Sequence, residues 1–111
     1  MDSVIIFLGD DLLTNKLNDQ YVNDLFDAIL TLKSPEECQK FFSDLCTIQE
    51  LASLSQRYQV AKMLSAHNVY ADIVNETGAS TATISRVNRS INYGNGGYDI
   101  VFDRLGIKEE K

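Results

Sequence analysis

The sequence predicts an all-α fold. From Asn18 onward, apolar residues recur at three- and four-residue steps, the spacing of one helical face. The stretches between these runs carry helix-cap signatures, and the single proline of the 111 residues stands inside one of them. With 44% hydrophobic residues the chain has material for one core, so a helical domain over residues 18–107 is expected.

Residues 1–17 show no clean periodicity. They read either as a loose arm that docks Ile5, Ile6 and Phe7 onto a partner or as a frayed terminus. Their apolar patch lacks a basic lead-in and precedes Asp10 and Asp11, so no signal peptide is read there. No apolar run approaches the roughly 20 residues of a membrane helix. A soluble, cytoplasmic chain with no membrane partner is expected.

The first helix follows Asn18 and places Tyr21, Val22, Leu25, Phe26, Ile29 and Leu30 on one side, with Asp19, Asp24 and Asp27 between them. Ser34-Pro35-Glu36-Glu37 starts the second. Ser34 caps, Pro35 suits the first helical position, and Glu37 reaches back to complete a capping box. That helix is expected to bury Cys38, Phe41, Phe42 and Leu45. Cys38 and Cys46 lack metal-site spacing and read as reduced, buried thiols.

Thr47 and Glu50 repeat the capping device. The third helix should run to about Ala66 and bury Leu51, Leu54, Tyr58, Ala61 and Leu64 or Met63, with Arg57 midway as a solvated arginine. His67 and Asn68 end it. Residues 70–91 then read as two short helices joined at Gly78, whose freedom at positive φ suits a tight turn. Ile73 and Val74 face inward from the first of the pair. Ser80 or Thr81 caps the second, which turns Ile84, Val87 and Ile91 inward and leaves Ala82, Ser85, Arg86 and Arg89 outside.

That outer face is short, hydroxylated and basic, as a helix entering a DNA groove requires. An ordinary helical hairpin with a serine- and threonine-rich surface has the same spacing and stays open beside it. The net charge of −6 does not exclude DNA, because the excess acid is confined to residues 1–46, with nine acidic and three basic side chains. Residues 47–111 hold seven of each, and no acid lies between Glu76 and Asp99. A phosphate responds to charge within about a Debye length, roughly 10 Å.

Asn92 to Gly97 reads as a glycine loop that lacks the lysine and preceding strand of a phosphate-binding loop. A last helix over Tyr98 to Leu105 is expected to bury Ile100, Val101 and Leu105, and the tail from Lys108 to fray. One histidine, no serine elbow, no paired carboxylates in an apolar setting and no metal-ligand cluster speak against an enzyme, so no cofactor and no metal are expected.

The stretch ETGASTATISR (76–86), together with LTLKSPEEC, FFSDLCTIQEL and NYGNGGY, resembles the Trp repressor superfamily, in particular its YerC/YecD-like branch. The resemblance covers residues 20 to about 98. It implies an intertwined homodimer whose paired recognition helices face successive major grooves of double-stranded DNA, and thus a sequence-specific transcriptional repressor. By position, the family's DNA-reading residues fall on Ser80, Thr81, Ala82, Thr83 and Ser85. Ala71 and Val74 stand where tryptophan-responsive members carry basic side chains, which moves phosphate contacts toward Arg86, Arg89 and the 92–97 loop. The family's ligand residues match Thr47, Arg57, Arg86 and Ser90. Val87 replaces the glycine that lies beside the bound indole, and its branched side chain opposes tryptophan. A different small-molecule effector, or none, remains open, as does a helical module that binds protein rather than DNA.

Overall fold

The computed structural model describes residues 18–107; the expected arm at 1–17 and the tail from Lys108 lie outside the described residues. Those described form six α-helices with no strand. They fall into two compact units divided after Leu45.

The first unit holds α1 (Asp19–Ile29) and α2 (Pro35–Leu45). Asn18 caps α1 by accepting the Tyr21 N–H at its Oδ1, 3.1 Å away. Ser34 caps α2 by accepting the Glu37 N–H at 3.1 Å. Glu37 reaches back as expected, but its Oε1 takes the Lys33 N–H at 2.9 Å, one residue earlier than a capping box would have it. Two short helices cannot enclose a core, and neither contains a fully buried residue. Phe41 and Phe42 meet edge to face at 5.6 Å and are half-buried. The expected burial of Cys38 and Leu45 is not found, since both are exposed.

The second unit holds α3 (Ile48–Ser65), α4 (Tyr70–Thr77), α5 (Thr81–Tyr93) and α6 (Gly97–Leu105). Cys46, just ahead of α3, is half-buried rather than enclosed. The Thr47 and Glu50 capping box forms in full: the Glu50 N–H reaches Thr47 Oγ1 at 3.0 Å and the Thr47 N–H reaches Glu50 Oε1 at 2.9 Å. At the far end His67 takes a positive φ of 66° and Asn68 donates both its N–H and its side-chain amide to the Met63 carbonyl, each at 3.0 Å. The helix stops where the sequence indicates.

α3 is the spine, contacting both α4 and α5. Val60, Ala61, Ile73, Ala79, Ile84, Val87 and Phe102 form the core, with Tyr58, Met63, Leu64, Val74, Ile91, Tyr98 and Ile107 packed around it. Val60 is enclosed although the helical pattern did not select it, and Leu54 is exposed although the pattern did. The pattern assumes a single buried stripe, whereas neighbours on more than one side enclose both Val60 and Ala61.

Two further corrections concern the end of the chain. α5 continues through Asn92 and Tyr93, which leaves only Gly94 to Gly96 as the connection. α6 turns Phe102 inward, stacked on Tyr98 at 5.9 Å and tilted against Tyr58 at 5.8 Å. Ile100, Val101 and Leu105 lie off that face and are exposed, contrary to expectation. A Tyr and Phe pair at i, i+4 sets the inward direction, and the aliphatic residues follow from it.

The turn between α4 and α5 has two locks. Gly78 takes φ 74° and closes on the Val74 carbonyl at 2.8 Å. The Thr77 hydroxyl donates to the Ile73 carbonyl at 2.7 Å and accepts the Ala79 N–H at 3.1 Å. An added Cβ at Gly78 would meet nothing within 4 Å, so only backbone strain opposes a side chain there. Gly78→Ala is therefore expected to lower unfolding free energy by about 1–2 kcal/mol in urea titration. Gly78→Asn, which tolerates the left-handed region, should lose less.

Candidate nucleic-acid interface

Each helical side chain of α5 is assigned to one of two sides by the core. Ile84 and Val87 are buried and Ile91 is half-buried against it. Thr81, Ala82, Ser85, Arg86 and Arg89 are exposed and follow one another at i, i+1, i+4, i+5 and i+8. They form a single continuous stripe along the helix. Its leading end is short and uncharged, and its trailing end is cationic.

The two remaining residues matched to DNA-reading positions behave differently. Ser80 is the N-cap: its Oγ accepts the Thr83 N–H at 3.0 Å, and its hydroxyl donates to Thr83 Oγ1 at 3.1 Å. Thr83 is half-buried. Both hydroxyls thus begin with a partner inside the protein, whereas Thr81, Ala82 and Ser85 lead the exposed stripe.

Electrostatics separate α5 from its neighbours. The other five helices carry an acid in the first turn: Asp19, Glu36 with Glu37, Glu50, Asp72 and Asp99. α5 has none. Its positive helix end is left uncompensated, the arrangement that favours an approaching anion. Arg86 and Arg89 stand one and two turns further along the same outer side.

The chain is similar to several known proteins. The Trp repressor protein family matches residues 20–106. The chain belongs to the Trp repressor family. It is 55% identical over 91 residues to YerC of Bacillus subtilis (strain 168), a protein of unassigned function, spanning 82% of this chain and 88% of that one. A crystal structure of a TrpR-like protein from Eubacterium eligens superposes with TM-score 0.81 at 64% identity, covering 86% of this chain and 99% of that one. A Trp repressor candidate from Staphylococcus aureus also gives 0.81, at 55% identity, over 86% and 95% of the two chains. These neighbours share the all-helical fold.

Of the four positions matched to the family's ligand residues, Thr47 is the N-cap of α3, Arg57 is half-buried midway along α3, and Arg86 and Ser90 are exposed on α5. A cavity of about 400 Å³ at the α5–α6 junction is lined by Tyr58, Ser90, Gly94, Asn95, Gly97, Tyr98 and Val101. It takes Ser90 from the four and none of the others. Val87 is 2% exposed and belongs to the core, so its side chain already fills the space that a glycine would leave. Among the described residues no group of three or more acids, histidines and cysteines could hold a metal ion.

Sequence reasoning missed Gln56. Its side-chain amide donates to the Thr77 carbonyl at 3.1 Å and ties α3 to the end of α4 across 21 residues of chain. A contact so distant in sequence leaves no periodic or capping signal. The part of Thr77 in the turn was likewise missed, although a threonine just ahead of a turn glycine is a local signal that could have suggested it.

Two outcomes follow from this geometry. Ser80→Ala should lower stability by about 1 kcal/mol and Ser80→Asn should restore most of it, read from urea midpoints. Addition of tryptophan should leave the melting temperature unchanged, because the buried Val87 side chain fills the position that the family resemblance would place beside an indole.

Proposed function

We propose that this chain is a dimeric, sequence-specific DNA-binding transcriptional regulator, acting as a repressor in the cytoplasm, with α4 and α5 as its helix-turn-helix. The observation that carries this reading is the exposed stripe of α5: small side chains, two arginines, and a helix start that lacks the acid found on every other described helix. Membership of a family of regulators supports it. No described helix is long and apolar enough to cross a membrane.

Dimerisation has its own support. Ile48 and Tyr93 are 88% and 85% exposed, and Leu30, Ile100 and Leu105 are exposed as well. Large apolar side chains in such number favour a covering surface, and a second copy supplies it. Pairing also doubles the cationic ends of α5. The effector is unassigned, and the cavity beside Ser90 is where a small molecule could reach α5.

Selection of bound fragments from random duplex DNA by the purified protein tests the reading. Enriched half-sites spaced by about one helical turn are expected. With two arginines from each of two protomers neutralising about four phosphates, affinity should fall roughly 10²-fold as salt rises fourfold. Failure to enrich any sequence, with binding to protein partners insensitive to salt, would instead support a protein-interaction module.

A further inference from the structure

We propose that, with α5 in the major groove as argued above, the methyl groups of Ala82 and Thr81 select thymine through its C5-methyl at the base step facing the first turn of the helix. The inference rests on the DNA-binding reading and adds the chemistry by which a base is chosen.

The first turn of a recognition helix is the part that meets base edges. On α5 that turn exposes Thr81 and Ala82, while Ile84 beneath is fully buried. Ser80 and Thr83, the other hydroxyls of the turn, are hydrogen-bonded to one another. Ala82 has no polar side-chain atom, so its only favourable groove partner is apolar. Among the four bases only thymine presents an apolar group in the major groove. Thr81 adds a second methyl beside it. Ser85, one turn on, can bond donors or acceptors alike and discriminates poorly. Arg86 and Arg89 lie further along, where phosphates or guanine are within reach of a long side chain. The Thr81 hydroxyl, like that of Ser85, bonds donors and acceptors alike, so the discriminating chemistry of the leading end is its methyl groups.

The test uses the full-length protein and the half-site enriched by selection. Each thymine is replaced singly by uracil, which removes the C5-methyl and nothing else, and affinity is measured at constant salt. One or two thymines per half-site should lose about fourfold in affinity, the equivalent of one buried methyl group. In Ala82→Gly or Thr81→Ser that loss should shrink below about twofold at the matching position. Restoring the methyl by placing 5-methylcytosine opposite guanine should recover part of the affinity lost with cytosine there. Thr81→Ser keeps a hydroxyl and the helix start, so it carries the test should Ala82→Gly fold poorly. An enriched site in which no uracil changes affinity, or in which the loss is the same in both variants, overturns the thymine assignment and leaves the regulator reading standing. Absence of any enriched site removes both.

Discussion

The Thr77 hydroxyl bridges the two sides of one turn, taking the Ala79 N–H and giving its proton to the Ile73 carbonyl. Together with the left-handed Gly78 it determines where α5 starts. Gln56 reaches the Thr77 carbonyl from α3, so the turn is fastened to the spine as well as to itself. Ala79, buried at the bend, leaves no room for a larger residue to slide the register. The makeup of the α5 surface depends on that start. A shift of one residue would rotate the helix by about 100°, moving Ile84 and Val87 off the core and the arginines toward it.

Once α5 is placed, its charge matters more than that of the whole chain. The excess acid lies in residues 1–46, and in the second unit acids close the starts of α3, α4 and α6 but not that of α5. An anion therefore meets one favourable helix start, followed by Arg86 and Arg89. This local contrast, rather than overall basicity, is what makes an acidic protein compatible with a phosphate backbone.

The apolar surface has a similar logic. The second unit encloses a small core, and among the described residues of the first none is fully enclosed. Short helices gain little from propensity alone, so burial of their apolar sides is what stabilises them. A second copy is the proposed source. Val87, buried on the inner side of α5, is part of that small core.

The helix starts were legible in the sequence. Ser34 and Thr47, and Ser80 beside Thr81, are caps that the sequence indicates, because interactions closing within three residues leave a readable spacing, whereas the Asn18 cap of α1 is a finding of the structure. The inward faces of α4 and α5 were legible too: Ile73, Ile84 and Val87 are buried and Val74 and Ile91 half-buried, as their spacing indicates. The outer side of Ala82, Ser85, Arg86 and Arg89 followed directly, and the structure adds Thr81 to it. Tertiary structure decided which side of the other helices is covered. Val60 is enclosed on α3, Cys38 and Leu45 are exposed on α2, and α6 turns on the Tyr58, Phe102 and Tyr98 cluster rather than on its aliphatic residues. Burial is a property of the neighbours a residue acquires, and those neighbours lie tens of positions away in the chain, where hydrophobic periodicity carries no information about them.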